Sequence, residues 1–476
     1  MEKEGFSISV LQTTFFKGMT TMKKLTTLLL AAGMVFAASA PASAVDVKMD
    51  GQYMFNFITG EKAGTGQNFD RAGQRLRLGM TFTANENLSG YFQMQVGTGA
   101  AANNNYDWGS DPTGREGKIG MRQLYIDWLI PQTSVQVRMG RQLLNLPNDA
   151  FGKSAIMHSG WSGRDGISVA APVTDWLDVS AFWLRGAYDS ADSDTDQSNK
   201  SDFFGAVTNF KFEGFAFSPY VMYAALDQAK AGGNILDSST DGIGTMVKAD
   251  GSAFWAGTNF VMSYFDPFTL KVSGAYGMIT YDGADDAGQK WNDRSGWYVQ
   301  AKASYKTAYG TPILGAWYGS GDDKDVQYLG QDWIPAWAGR FHPTFAYADG
   351  EYGIYGTNGR HAIAGTWGLQ AGIEDVSFLQ DLTHKFTVTW FQGTNEAGHA
   401  LTSAADINPV KYMTKNDNAV EFNLANTYRI YKNLSVCLEL AYIITDYDKG
   451  DHRAWAAVNE TDKDSWSTAL TFQYLF

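Results

Sequence analysis

The chain ends with Ser465-Trp-Ser-Thr-Ala-Leu-Thr-Phe-Gln-Tyr-Leu-Phe476, and this stretch decides the fold. Every second position is apolar or bulky, in the order Trp466, Thr468, Leu470, Phe472, Tyr474 and Phe476. The positions between them are mostly small or polar, namely Ser465, Ser467, Ala469, Thr471 and Gln473. Because successive side chains of a strand point to opposite faces, this period of two predicts a strand with one apolar and one polar face.

The same alternation recurs along the whole chain. In residues 74–83, Leu76, Leu78 and Met80 share one face, while Arg75 and Arg77 lie on the other. The predicted strands are 47–58, 74–85, 88–99, 118–130, 134–142, 165–171, 176–188, 202–212, 214–227, 253–265, 268–281, 296–307, 311–319, 361–373, 383–393, 419–430, 434–445 and 465–476. Most are close to the length of about 9–11 residues that a tilted strand needs to cross a bilayer. The predicted count is eighteen, and sixteen is the alternative because strand 165–171 is weak.

The connections between these strands alternate in length. Short turns and long polar segments follow one another, and residues 374–382 form one longer turn on the side of the short ones. This spacing is typical of a barrel that crosses a membrane. We therefore predict an all-β fold, a transmembrane antiparallel β-barrel of about eighteen strands with long extracellular loops and short periplasmic turns. A soluble β-sandwich or a β-solenoid is the rival interpretation, but the sequence has no fixed repeat.

Composition favours many strands and excludes nucleic acid as a partner. The chain has 51 Gly, 24 Tyr, 29 Phe and 15 Trp but only 11 Pro among 476 residues, which favours strands joined by turns. Its 37 Lys and Arg face 50 Asp and Glu, for a net charge of −13. Binding to a phosphate backbone needs a basic surface instead. Cys437 is the single cysteine, so an intrachain disulfide is excluded.

The N-terminus has the pattern of a secretory signal. Lys23-Lys24 precede an apolar run over residues 25–40, and Ala42-Ser43-Ala44 supplies the small residues of a cleavage site. A membrane-spanning helix would need about 20 apolar residues, so we predict that residues 1–44 are a signal peptide. The acidic start of the chain suits a signal badly, and residues 1–21 are therefore predicted to be a spurious upstream extension.

The signal peptide, the strand that ends with Gly140-Arg141-Gln142 before a third long loop, and the terminal Phe476 carry a family resemblance. On these features the chain resembles trimeric outer-membrane porins of Gram-negative bacteria. Across residues 45–476, interpreted as one barrel domain, it is most similar to the homotrimeric porins of sulfate-reducing bacteria. The resemblance implies a homotrimer in the bacterial outer membrane, in contact with outer-membrane lipid and lipopolysaccharide. It also implies an assembly signal for the barrel-assembly machinery in the C-terminal strand, at Phe472, Tyr474 and Phe476.

The segment that follows Gln142 is richer in apolar residues than the other loops, which predicts that it folds into the lumen. In general porins the acidic residues of this loop face a basic ladder on the barrel wall. The resemblance implies that the basic side is formed by Arg75, Arg77, Arg122 and Arg138. Candidates for the constriction loop are Asp149, Lys153, His158, Arg164 and Asp165, with Asp149 and Asp165 on the acidic side. A basic wall favours anions and acidic outer loops favour cations, and the sequence does not rank the two effects.

These features predict an outer-membrane porin, a water-filled channel for the passive diffusion of small hydrophilic solutes and ions. The first alternative is a substrate-specific outer-membrane channel, in which the aromatic residues of 320–360 form a vestibule. Those residues also fit a packed lid or a latch onto a neighbouring subunit. A barrel enzyme is the least favoured alternative. The chain has no Gly-x-Ser-x-Gly motif, and although Ser159 stands beside His158, neighbours on a loop need not converge.

Neither a cofactor nor a metal is predicted. Asp192, Asp194 and Asp196 copy the first ligand positions of a calcium loop, but Gln197 stands where such a loop needs glycine. A solvated acidic loop is the better interpretation of this segment. The 6 histidines are scattered and have no metal-ligand spacing.

Overall fold

The structure is a computed structural model. It describes residues 45–63, 66–97, 106–108, 118–158, 163–189, 199–226, 250–283, 293–326, 329–336, 339–347, 363–397, 409–452 and 463–476. The predicted signal peptide and the Asp192–Asp196 run lie outside the described residues. So do Ser159 and the aromatic residues Trp337, Tyr352 and Tyr355.

Within the described residues the chain forms nineteen strands. They are β1 Asp46–Glu61, β2 Asn68–Asn85, β3 Leu88–Gly97, β4 Tyr106–Asp107, β5 Lys118–Leu129, β6 Gln136–Gln142, β7 Arg164–Thr174, β8 Leu177–Asp189, β9 Asn199–Phe212, β10 Phe215–Leu226, β11 Gly251–Met262, β12 Phe268–Tyr281, β13 Arg294–Tyr305, β14 Thr311–Gly319, β15 Thr366–Leu379, β16 Leu382–Gly393, β17 Asn418–Tyr431, β18 Leu434–Asp446 and β19 Ser465–Leu475. No helix in this part of the chain is long and apolar enough to span a bilayer.

The strands close into one antiparallel barrel. Each strand except the two-residue β4 is hydrogen-bonded to the barrel strand that follows it in sequence. The last strand, β19, pairs with β1 over nine registered positions. The terminal residue completes this seam, because Gly51 N–H donates to the Phe476 carbonyl at 2.8 Å and Phe476 N–H donates to the Gly51 carbonyl at 3.1 Å. The predicted barrel of eighteen strands is therefore confirmed, including the weak strand that is now β7.

The two faces of the barrel differ as the alternation predicts. On β19, Ser465, Ser467 and Thr471 face the lumen and are each 1% exposed, whereas Trp466 is 44% exposed on the outside. Outward aromatic residues also lie near strand ends, such as Trp128 at 40% exposure. The outer face is thus an apolar surface, and the polar side chains line the interior.

The predicted long turn over 374–382 is wrong. β15 continues to Leu379 and β16 begins at Leu382, so only two residues connect them. Two register shifts along this hairpin absorb the extra residues, and Asp375 and Asp381 have positive φ angles of 59° and 63°. Aspartate tolerates this left-handed backbone conformation. The polar run that indicated a loop is therefore a bulged strand.

The hydrophobic core lies inside the barrel rather than between layers. Buried side chains of the wall, such as Leu184, Phe203 and Trp255, face inward at 0% exposure. They form one cluster with residues of the loops that follow β6 and β14. These two loops occupy part of the lumen and position the candidate site.

Candidate functional site

The loop that follows β6, residues 143–163, is here called the inner loop. Its described part, residues 143–158, crosses the lumen as the sequence predicts. Its tip is held by three neighbouring strands of the far wall. Ala150 N–H donates to Ser273 Oγ of β12 at 3.0 Å, and Phe151 N–H donates to Gln300 Oε1 of β13 at 2.9 Å. The Asn259 side chain of β11 donates to the Asn148 carbonyl. These bonds give the loop one defined position.

Asp149 anchors the tip of the inner loop. Its Oδ2 atom accepts hydrogen bonds from the Tyr298 hydroxyl at 2.9 Å and from Ala155 N–H at 2.8 Å. Asp149 is 4% exposed, and burial raises its pKa to about 6 because the charged form loses hydration. The structure therefore places this predicted constriction residue in the contact between loop and wall, where it fixes the loop.

Apolar packing supports the same contact. Leu146, Ile156 and Met157 of the inner loop are at most 1% exposed. The Phe151 ring meets the Trp317 ring of β14 edge to face, with centroids 5.5 Å apart. These side chains make the loop part of the core, which explains why it is richer in apolar residues than the other loops.

The loop that follows β14, residues 320–365, is here called the long loop. Its described residues, 320–326, 329–336, 339–347 and 363–365, also pack inside the barrel. Glu421 of β17 accepts the backbone N–H groups of Phe345, Ala346 and Tyr347 at 2.9, 2.6 and 3.1 Å. Glu421 itself is 0% exposed. A carboxylate on the wall thus binds three consecutive N–H groups of the loop.

The start of the long loop is tied to neighbouring loops. The Asn395 Oδ1 atom accepts Trp333 Nε1–H at 2.7 Å and Asp322 N–H at 2.9 Å. Tyr412 donates its hydroxyl to Asp322 at 3.0 Å and stacks on Trp333. Burial raises the pKa of Asp322.

Four aromatic residues of the long loop are packed inside the barrel. Trp333 is 0% exposed, and Phe341, Phe345 and Tyr347 are each 4% exposed. Among the described residues of 320–360, these four side chains therefore belong to the packed core. The sequence interpretation of a packed lid fits them, and the vestibule interpretation does not.

The opposite wall, β2 to β5, is polar and basic. Arg75 of β2 donates to Gln52 Oε1 at 2.9 Å, and Arg77 donates to Gln95 Oε1 at 2.6 Å. The Arg122 guanidinium of β5 donates to Gln93 Oε1. Glutamine amide oxygens thus orient these three guanidinium groups. Their side chains line the inner face, where the resemblance implies a basic ladder.

A β-bulge brings Arg122 to this wall. Gln93 of β3 pairs with Gln123, whereas Met94 pairs with Met121, so Arg122 has no opposite residue. As a result Arg122 and Gln123 both point inward, at 7% exposure each, and a bulge re-aims side chains in this way. The sequence indicates this bulge through the spacing of the outward apolar residues, which changes from two to three between Met121 and Leu124.

The two loops present further basic residues to the same wall. Arg340 N–H of the long loop donates to the Ser154 carbonyl of the inner loop at 2.8 Å, which joins the loops. The charges of Arg75, Arg122 and Arg340 all act on Arg77. We call Arg75, Arg77, Arg122 and Arg340 the arginine cluster. The sequence did not single out Arg340, because nothing local shows that residue 340 approaches residue 77.

His158 of the inner loop lies beside the arginine cluster. It is 8% exposed. Burial, together with the charges of Lys153, Arg340 and Arg122, lowers the pKa of His158 to about 3, so the imidazole is neutral at pH 7. Lys153 is an exposed residue of the same loop. Positive charge is therefore concentrated around His158.

The remaining predicted residues lie elsewhere on the barrel. Arg138 forms a bidentate ion pair with Asp127 at 2.7 Å and lies 3.9 Å from the centre of the Tyr125 ring, on the inner face. Arg164 opposes Gln142 on the inner face at the start of β7. Asp165 is on the outer face, where its carboxylate meets Arg141 at 2.8 Å. Asp165 therefore does not line the lumen.

The predicted assembly residues lie at the seam of the barrel. Phe472 pairs with Phe55 and Tyr474 pairs with Tyr53, and the rings of Tyr474 and Phe476 stack with centroids 5.5 Å apart. No group of three or more histidine, cysteine or acidic side chains within the described ranges is arranged to hold a metal ion.

Comparison with known proteins gives structural neighbours only. No protein-family model and no curated protein matches the chain. Acinetobacter baumannii OccAB1 aligns with a TM-score of 0.55 at 13% identity, over 92% of this chain and 100% of that one. The Pseudomonas aeruginosa outer membrane protein OpdK aligns at 0.53 and 13% identity, over 90% and 98% of the two chains. A structure of OpdK with vanillate aligns at 0.52 and 13% identity over the same shares. At this identity the likeness establishes the architecture alone, a closed β-barrel.

Proposed function

We propose that the protein is an outer-membrane porin, a water-filled channel through which small hydrophilic solutes and ions diffuse passively. The observation that carries the proposal is the arginine cluster, which lies on the inner wall beside two loops that fill the other side of the lumen. An apolar outer face suits lipid and a charged interior suits water. Catalysis is not part of the proposal.

The same observation favours anions at the narrow part of the lumen. The arginine cluster brings together four positive charges, one of them on the long loop and three on the wall. Charged rings in a pore select ions of the opposite sign, and low-dielectric walls strengthen the field. The acidic outer loops act in the other direction, but dissolved salt screens their charges over about 8–10 Å. The wall therefore dominates the selectivity.

Planar-bilayer recording in a salt gradient tests this proposal. The wild-type channel is expected to show an anion-selective reversal potential, and Arg77→Gln with Arg122→Gln should reduce the selectivity several-fold. Arg429→Gln is the matched control, because Arg429 faces the lumen near the short turns, beside Asp381 and Thr427, and far from the loops. Strong cation selectivity of the wild type, or an equal effect of the control, would contradict the proposal.

A substrate-specific channel is the second candidate. It is favoured by the number of hydrogen bonds that fix both loops in the lumen, because a fixed constriction distinguishes solutes by shape. OpdK has been solved with vanillate, so vanillate and its uncharged analogue vanillyl alcohol make a suitable pair of probes. Saturable block of the current by vanillate alone would favour the specific channel, whereas equal passage of both would favour the general pore.

Other features remain predictions. They are the homotrimer, the contact with lipopolysaccharide, recognition of Phe472, Tyr474 and Phe476 by the barrel-assembly machinery, and export through a signal peptide over residues 1–44. The apolar outer face and the seam at Phe476 support them. Outer-membrane fractionation and N-terminal sequencing of the mature protein would test localisation and cleavage after Ala44 together.

A further inference from the structure

We propose that the lumen binds small phosphate monoesters of sugars, with the phosphate on the arginine cluster and the sugar hydroxyl groups on two neighbouring tyrosines. These tyrosines, Tyr91 and Tyr125, are here called the tyrosine shelf. The proposal rests on the channel function proposed above, because it names a class of solute for the same lumen.

The tyrosine shelf lies on the same wall as the arginine cluster, closer to the short turn between β2 and β3. Tyr91 of β3 pairs in register with Tyr125 of β5, and their ring centroids are 5.5 Å apart. Tyr91 is two positions from Gln93, the inward residue that accepts a hydrogen bond from Arg122. Because alternate residues of a strand share a face, Tyr91 also faces the lumen. Both tyrosines are half-buried.

A single glutamine connects the tyrosine shelf to the arginine cluster. The Gln93 side chain accepts a hydrogen bond from the Arg122 guanidinium and donates one to the Tyr91 hydroxyl at 3.0 Å. Gln123 of β5 also donates to the Gln93 oxygen, at 3.0 Å. One amide group thus separates the guanidinium from the phenol. A solute with few atoms between a charged end and a hydroxylated end can therefore reach both.

The far end of the tyrosine shelf offers partners for hydroxyl groups. Asp50 of β1 accepts the Tyr91 hydroxyl through Oδ1 at 3.3 Å, and its charge also acts on Tyr125. Among the described residues, neither Asp50 Oδ2 nor the Tyr125 hydroxyl has a hydrogen-bond partner. A carboxylate oxygen accepts hydrogen bonds, and a phenol both donates and accepts them. Both groups are therefore available to a solute.

The two rings are held in place by their neighbours. Arg138, which is ion-paired with Asp127, lies 3.9 Å from the centre of the Tyr125 ring. On the other side Gly79 of β2 makes room for Tyr91, because a Cβ there would come within 2.3 Å of the phenol oxygen. The tyrosine shelf is therefore formed before a solute arrives, as is usual for small-molecule sites.

This order of groups matches a sugar phosphate. A phosphate monoester carries a charge of about −1.5 to −2 at pH 7 and three acceptor oxygens, and guanidinium groups bind it in bidentate geometry. At the other end, the Asp50 carboxylate repels a second anionic group, so the tail of the solute is uncharged. A tyrosine presents an apolar ring together with a hydroxyl. Such a surface suits a sugar, which has both C–H groups and hydroxyl groups.

Block of the ion current in planar bilayers tests the proposal on the wild-type protein. Glucose 6-phosphate joins both halves of the solute and should block saturably, at a concentration about tenfold lower than inorganic phosphate or glucose. Phenyl phosphate has a similar head but no hydroxyl groups on its ring, and it should also block less strongly. If any of these three control solutes blocks at the same concentration as glucose 6-phosphate or at a lower one, the proposal is overturned.

The variant Tyr125→Phe tests the tyrosine shelf directly, because it removes one hydroxyl and keeps the ring beside Arg138. The ratio of the half-blocking concentrations of inorganic phosphate and glucose 6-phosphate should fall about fivefold. Tyr431→Phe is the matched control, since Tyr431 lies on β17 and lines the pocket that contains Arg429; it should keep the wild-type ratio. No fall in Tyr125→Phe, or an equal fall in the control, would contradict the assignment.

The reversal potential of the same channels, measured before a solute is added, separates this proposal from the channel function. An anion-selective channel that does not prefer glucose 6-phosphate would overturn the solute assignment alone. A protein that forms no conducting channel would overturn the channel function itself.

Discussion

Release of the long loop from the wall is expected when Glu421 is replaced. The Glu421 carboxylate receives the N–H groups of Phe345 and Ala346 on Oε1 and that of Tyr347 on Oε2. All of these groups are buried. Glu421→Gln keeps the shape of the side chain but converts one oxygen into an N–H donor, and Glu421→Ala removes both acceptors.

The size of the effect follows from these bonds. A hydrogen bond to a charged group contributes about 1.5–3 kcal/mol. Glu421→Gln loses at least the hydrogen bond to the oxygen that is replaced. The remaining bonds become weaker because their acceptor is no longer charged, so loop docking should weaken by about 2–4 kcal/mol. Glu421→Ala leaves three buried N–H groups without an acceptor, and each such group costs about 1–3 kcal/mol. The loop is therefore expected to leave the wall in the Ala variant and to do so part of the time in the Gln variant.

Single-channel recording and limited trypsin digestion measure this release. We expect larger and noisier conductance, together with cleavage after Arg340, which is 4% exposed in the docked loop. Asp127→Asn is the matched control, because it also removes one inward carboxylate but lies on the opposite wall, paired with Arg138. The reasoning is refuted if Glu421→Ala has the conductance and protease resistance of the wild type.

Three further predictions concern the inner loop and the seam. Gly339→Ala should separate the two loops, because a Cβ there would overlap the Ala155 carbonyl; increased trypsin cleavage checks this, and unchanged resistance would contradict it. Burial raises the pKa of Asp149 to about 6 from 3.8, so its protonation favours the docked loop. Docking is then strongest below about pH 4 and weakens as the pH rises through about 6, so the noise of the channel current should increase over this range. In Asp149→Asn the noise should no longer change with pH, and a change that persists in this variant would contradict the prediction. Gly51→Leu should disturb barrel closure, because its side chain would overlap the Phe476 ring; a lower melting temperature in detergent is expected, and an unchanged one would refute the role of this contact.

The strands were predictable because their signal is local. Period-two alternation depends only on which neighbours face lipid and which face water, and it gave β12 and β14 with their observed bounds. The β15–β16 hairpin was predicted less well. β15 extends beyond its apolar section, and the polar residues Glu374 and Asp375 in the extension indicate a loop when only the sequence is considered. The bulge at Arg122 shows a further limit. Its only trace is one interval of three in the outward pattern of β5.

The wall residues that each loop contacts were not predictable in the same way. Apolar composition indicated that the inner loop packs inside the barrel, and it does, but its partners are set by closure of the whole ring. Asp149 reaches Tyr298 across 149 positions of sequence, and no local pattern encodes such a distance. For the same reason a charged loop residue has two possible roles, to line the pore or to hold the loop. Contacts separate them, since both residues are 4% exposed: Asp149 accepts a hydrogen bond from Tyr298 of the wall, whereas the charge of Arg340 on the adjoining loop acts on Arg77. In the proposed channel, ion selectivity thus depends on where closure of the ring places each loop charge.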